Sequence, residues 1–176
     1  MRLRIFALVF ALLALVVSGV AVAEEDLTNW ALGKSYTYSM APHENYPDEG
    51  GQLTDGVYAQ LPKYHDQAWV GHWRNDFRTI TVDLGEVRPI QEIRANFMQE
   101  MSTGIYYPVE VMAEVSADGV LWTEVGLQRF NRVSMGTEDF IKPVIFDELD
   151  ENARYVRITF LVDVWVFIDE IEVLGK

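Results

Sequence analysis

The sequence contains no cysteine, no run of lysine or arginine and little helical periodicity. Each absence excludes something. Without cysteine there is no disulfide framework, no zinc knuckle, no thiol nucleophile and no lipid-attachment cysteine, so stability rests on packing. Lys and Arg number 14 against 27 Asp and Glu, a net charge of −13, and no basic run offsets this locally. Nucleic acid and anionic lipid surfaces are therefore excluded as partners by the field they would meet. The scarcity of 3.6-residue periodicity argues against a helical core.

The start of the chain is what carries a long apolar run. Arg2 and Arg4 precede an unbroken apolar stretch, Ile5 to Val17, and Ala21-Val22-Ala23 forms an A-x-A site followed by Glu24-Glu25. This is the order of an export signal, expected over residues 1–23; the alternative is an uncleaved membrane anchor. Removing 23 of 176 residues leaves 153, one domain's worth, expected over 24–176. Because the removed segment holds two arginines and no acid, the net charge would move from −13 to −15. No second apolar segment of spanning length follows, so the mature protein is expected to be secreted, with no membrane association after cleavage.

Period-two alternation recurs through the rest of the chain. Ile80, Val82 and Leu84 alternate with Thr79, Thr81 and Asp83 until Gly85, and Ile93, Ala95 and Phe97 alternate with Arg94, Asn96 and Met98. Val109, Val111, Ala113 and Val115 form a third such run, followed by Asp118-Gly119 as a hairpin turn and Leu121 to Val125 as its return strand. Phe140 to Phe146, then Val156, Ile158 and Phe160, then Phe167 to Leu174 complete at least seven strands with no βαβ spacing. The fold class expected is all-β, an antiparallel sandwich or jelly roll. Regularity fails from Ser39 to Phe77, a stretch rich in Pro, Gly, His, Asp and aromatics, and a connection of that length implies a use.

Six segments then resemble one family in order. Asn29-Trp30-Ala31-Leu32-Gly33-Lys34 is similar to the N-x-A-x-G-K opening of coagulation factor V/VIII type C (discoidin) domains, and Leu53-Thr54-Asp55-Gly56 to their A-x-D-G turn. Ile80 to Gly85 resembles I-x-V-D-L-G, and Glu114 to Trp122 the V-S-x-D-G-x-x-W hairpin. Ala153 to Ile158 and Asp169 to Gly175 resemble the two closing strands. The resemblance implies a galactose-binding-like jelly roll with ligand loops at one end, in the style of bacterial family 32 carbohydrate-binding modules, and no catalysis. Two departures fall in the irregular region. The Ser/Thr-Arg-Trp that follows the family's Asp-Gly turn is absent, and Thr79 stands where a tryptophan often precedes the V-D-L-G strand.

The resemblance also implies a structural Ca²⁺. Carried over residue by residue, its shell comprises the carboxylates of Asp55 and Glu170 and carbonyls of Leu53 and Asp169, with Asp66 as a possible stand-in for a missing hydroxyl. Hard oxygen donors suit that ion; the alternative is an Asx turn at Asp55 and a solvated Glu170.

Sugar recognition needs an aromatic face for C–H surfaces and planar polar groups for hydroxyls. The candidates are His43, Tyr46, His72, Trp73 and Arg74 in the irregular region, Tyr106 in the loop Met101–Tyr107, and Trp165 before the last strand. Trp69 and Trp122 are assigned to structure. Of the three histidines, His65 and His72 lack an H-E-x-x-H spacing, so zinc chemistry is not indicated. No G-x-S-x-G or phosphate loop occurs, and carboxylate pairs such as Asp48-Glu49 or Asp147-Glu148 are the only glycosidase-like feature in so acidic a chain. The expected function is a secreted, non-catalytic module holding a neutral rather than anionic glycan. The alternatives are an adhesion or assembly protein binding a protein partner through the same loops, and a small hydrolase.

Overall fold

The alternating segments become the strands of two facing antiparallel sheets. The computed structural model describes residues 26–74 and 76–176; the expected export signal lies outside the described residues. The strands are β1 (Thr28–Asn29), β2 (Tyr36–Tyr38), β3 (Val70–Trp73), β4 (Asp76–Ile90), β5 (Glu92–Gln99), β6 (Glu110–Ser116), β7 (Thr123–Arg129), β8 (Phe140–Phe146), β9 (Glu151–Val162) and β10 (Trp165–Gly175). One sheet runs β1-β10-β5-β8 with β3 also on β10; the other runs β2-β4-β9-β6-β7. One short helix, α1 (Arg132–Met135), opens on Asn131, whose side chain accepts a bond from the Val133 amide.

The inward residues of each run meet between the sheets. Ile80, Val82 and Leu84 from β4, Val111, Ala113 and Val115 from β6, and Val156, Ile158 and Phe160 from β9 face Ile93, Ala95 and Phe97 from β5 and Ile171 and Val173 from β10. All are buried, as one-faced alternation requires. Bidentate ion pairs hold the outer face of the second sheet. Arg154 meets Asp83 at 2.7 and 2.8 Å, and Arg157 meets Glu114 at 2.6 and 2.7 Å while covering the Trp122 ring at 4.1 Å.

Three features depart from the alternation reading. Gly85 does not end its strand. Its φ of +88° marks a bulge, where the β4–β9 register shifts between Asp83 and Arg88 before pairing resumes to Ile90. The turn at Asp118-Gly119 is a six-residue loop, because the Asp118 carboxylate accepts the Val120 and Leu121 amides and delays β7 to Thr123. Finally, the stretch 39–77 contains a strand, β3, paired to the start of β10 with Trp73 opposite Trp165 and His72 opposite Val166.

That stretch also explains why β10 is buried on both faces. Residues 57–69 fold over the outer side of the first sheet, where Ala59 and Trp69 join Met98, Ile105 and Phe167 in a second apolar cluster. Lys63 fastens this flap, its ammonium lying 3.1 Å from Glu100 and 2.8 Å from Asp139, while the other Glu100 oxygen accepts the Tyr64 amide. Asp48 fastens the neighbouring loop by accepting the Tyr36 and Tyr38 hydroxyls at 2.7 and 2.8 Å and the Gly50 amide at 2.8 Å. Burial would raise the Asp48 pKa, but the hydrogen bonds from Tyr36, Gly50 and Tyr38 hold it below the usual carboxylate value. A carboxylate so committed is a brace, and a poor candidate for the general acid that the Asp48-Glu49 pair suggested.

Candidate functional site

The aromatic site is assembled where β3 and β10 run side by side. Because Trp73 and Trp165 are directly opposed, their indoles stack, with centroids 5.4 Å apart and planes 16° from parallel. The loop bearing His43 and Tyr46 is tied to the same strand. His43 donates its amide to the Gly71 carbonyl, and Gly71 donates to the Tyr46 carbonyl at 3.0 Å. Gly71 is required here, since a Cβ would stand 2.7 Å from the Tyr46 Cβ and 3.0 Å from the Phe167 ring. His43 meets Trp165 edge-on at 5.0 Å and Trp73 at 5.3 Å, and Tyr46 meets Trp165 at 5.4 Å.

The two indoles differ in setting: Trp73 is the more exposed, at 37%, and Trp165 is half-buried. The Arg74 guanidinium lies over the Trp73 ring, 3.9 Å from its centroid, in addition to the stacked Trp165. Trp165 instead lines a pocket of about 210 Å³ with Tyr46, Tyr64, Thr103, Ile105 and Phe167. Arg74 takes a φ of +76°, a conformation uncommon outside glycine, and its amide bonds to the Val164 carbonyl at 2.9 Å. The turn after β3 and the turn before β10 are thereby locked together.

Five of the seven residues proposed for ligand contact gather here: His43, Tyr46, Trp73, Arg74 and Trp165. His72 does not. Strand alternation points it inward, where it is 1% exposed between Tyr38 and Phe160, and a ligand at the loops cannot touch it. Burial, reinforced by Arg78, lowers its pKa to about 3. Tyr106 is tied to the site by its amide, which bonds to the Trp165 carbonyl, but its ring lies under Arg132 at 4.5 Å and makes no ring contact with the aromatic group. Tyr64 and Phe167 join the site without a sequence signal, because the flap that brings Tyr64 there is held by contacts far apart in the chain. Trp69, 2% exposed, and Trp122, under Arg157, both have structural neighbours.

A second group of polar residues surrounds the turn at Asp55-Gly56. Asp169 falls at a register shift in the β10–β5 ladder, between Ile168 and Glu170. A bulge there lets two consecutive acids reach the same loop. The Glu170 oxygens accept the Gly56 amide at 3.2 Å, and Asp169 accepts the Ala59 amide at 2.9 Å and the Asn96 side-chain amide at 2.8 Å. Both acids are essentially inaccessible, and none of the ion pairs among the described residues involves them or Asp55. Burial, with the charges of Asp55, Asp169 and Glu172, pushes the Glu170 pKa up to about 8; burial raises that of Asp169 to about 6. Among the described residues no three His, Asp or Glu side chains converge on a metal position, so any ion would rely on carbonyls beside the carboxylates of Asp55 and Glu170.

The chain belongs to the F5/8 type C domain family, whose model matches residues 36–171. Solved structures share the fold. Chitosan-binding module 1 of a chitosanase/glucanase from Paenibacillus sp. IK-5 superposes with a TM-score of 0.59 at 23% identity, over 84% of this chain and 99% of that one. A fucose binding module from Streptococcus pneumoniae gives 0.60 at 18% identity, over 86% and 98%. The module CpGH89CBM32-5 from Clostridium perfringens, in complex with GalNAc-β-1,3-galactose, gives 0.59 at 12% identity, over 85% and 100%. No curated protein matches the sequence significantly.

Proposed function

We propose that the protein is a non-catalytic glycan-binding module, exported after loss of residues 1–23, that holds a sugar against Trp165 at the loop end of the sandwich. The observation that carries this reading is the concave aromatic pocket in which Trp165 is flanked by Tyr46 and Tyr64, with His43 touching its edge. An aromatic wall covers the C–H surface of a pyranose, and the Tyr46 and Tyr64 hydroxyls and the Thr103 side chain in the pocket lining are groups of the kind its hydroxyls pair with. Concavity favours a sugar over the protein partner that the same loops would otherwise suit, since a protein docks on a broader, flatter patch. Two similar structures described as a chitosan-binding and a fucose binding module, and a third solved in complex with GalNAc-β-1,3-galactose, support the same reading. The overall negative charge favours a neutral over an anionic glycan. A glycan array spanning cell-wall and animal sugars tests the proposal; binding to at least one class is expected, and silence across all classes overturns it.

The second part of the proposal is a structural Ca²⁺ at the Asp55-Gly56 turn. Buried Glu170 beside Asp55, with no cationic side chain paired to either among the described residues, is an electrostatic arrangement that a hard divalent ion would relieve, and the turn's oxygens are of the type it prefers. Asp55 and Glu170 would hold it, with carbonyls of Leu53 and Asp169. Bound there, it would neutralise the acids and fix the flap, away from the sugar. We expect EDTA to lower the melting temperature by several degrees and excess Ca²⁺ to restore it. An unchanged melting curve, with no calcium by elemental analysis, rules the ion out.

A further inference from the structure

A second cavity adjoins the aromatic pocket. It encloses about 280 Å³, and its lining includes Asn45, Glu49, His65 and Gln67 as well as Tyr46 and Tyr64. Tyr46 and Tyr64 also line the Trp165 pocket, and their rings meet edge-on at 6.0 Å, so the pair forms the shared wall between the two hollows. Neither hollow alone reaches the roughly 300 Å³ at which ligand clefts begin, but side by side they exceed it.

The polar groups of the second cavity divide into committed and uncommitted ones. Gln52 is spent on the Glu49 amide and the Gln67 carbonyl, and Asp66 on the amides of Gln60 and Ala68. The side chains of Asn45, Glu49 and Gln67 form no hydrogen bond within the described residues. Two amides able to donate and accept, one acceptor-only carboxylate and two tyrosine rings are what a pyranose seat requires. No described lysine or arginine lines the cavity, and Glu49 forms no ion pair among the described residues.

We infer that this cleft is a second sugar subsite continuous with the Trp165 pocket, so that the ligand is an oligosaccharide, and that Glu49 selects an amino sugar there through its protonated amine. The inference rests on the glycan reading above and deepens it. A uronic acid or sialic acid would be repelled from the cleft, whereas an ammonium gains a charge-assisted hydrogen bond.

The test is isothermal titration of the full chain with glucosamine and its β-1,4-linked di- and tetrasaccharides, and with their N-acetylated counterparts, at about pH 6, where an amine carries its proton. Affinity should rise about tenfold from mono- to disaccharide, and the free-amine disaccharide should bind about tenfold better than the acetylated one. Glu49→Gln should abolish the preference for the amine without weakening the acetylated sugar. Asn45→Ala combined with Gln67→Ala should remove the gain with length while leaving monosaccharide binding unchanged. Affinity independent of length overturns the subsite but leaves the glycan reading standing, as does silence toward all these probes alongside a positive array. A Glu49→Gln variant that keeps the full amine preference overturns the amino-sugar assignment.

Discussion

Replacing Trp165 by alanine should weaken glycan binding by at least about thirtyfold, corresponding to about 2 kcal/mol for removal of a buried aromatic anchor. The expectation follows from the asymmetry between the two stacked indoles. Trp73 already carries the Arg74 guanidinium at 3.9 Å, whereas Trp165 lines the open pocket and contacts His43, Tyr46 and Phe167 around its rim. Truncation removes the platform and loosens three neighbours at once. Trp165→Phe retains an aromatic face and should lose much less. Trp73→Ala should act indirectly, by releasing Arg74 and leaving Trp165 unsupported, with a smaller loss than Trp165→Ala. Titration against whichever glycan the array selects checks the order, and thermal melts separate a lost contact from a lost fold. Equal affinities for the parent and Trp165→Ala would place the sugar elsewhere.

The strands could be read from the chain because each buries one face. Phe140 to Phe146 is found as a strand with those same bounds, and the alternating runs after Thr79, Ile93 and Val156 lie where their apolar periodicity placed them. The family could be read from its six ordered segments, and the family model agrees over residues 36–171. What the chain concealed is set by pairing at a distance. Four residues, Val70 to Trp73, are too short for alternation to register against a background of turn residues, and their strand character comes from β10. The inward turn of His72 follows from that pairing alone. Tyr64 reaches the site because Lys63 beside it bridges to Glu100 and Asp139, a contact spanning 37 and 76 positions. The shared approach of Asp169 and Glu170 to one loop depends on a bulge, which period-two reasoning reads as opposite faces.

The buried imidazole of His72 should make the protein acid-sensitive in a way that one substitution removes. Neither ring nitrogen has a hydrogen-bond partner among the described residues, and the groups around it are the Tyr38 and Phe160 rings, the Arg78 guanidinium and, more distantly, Asp48. Burial and the Arg78 charge depress its pKa from 6.5 to about 3. Between these values the unfolded chain holds a proton that the native state does not, so stability falls as pH falls, by roughly 3 kcal/mol between about pH 6.5 and pH 4. Glu170 and Asp169 act in the opposite sense. Their raised values, about 8 and about 6, mean that the native state retains protons the unfolded chain has lost, so in the absence of a cation they favour the fold as pH falls. The two tendencies overlap, and the slope of the parent protein alone would not separate them. Comparing denaturant midpoints of the parent and His72→Leu in EDTA does, because the acids are common to both. The leucine variant should be at least as stable near pH 7, having lost an unsatisfied polar ring, and its advantage should grow by roughly 3 kcal/mol on going to about pH 4. Parallel curves would show that the imidazole ionises without leaving its place. A growing gap would instead tie acid loosening to β3, the strand that carries Trp73 and supports Trp165, and glycan release should then track the same pH range.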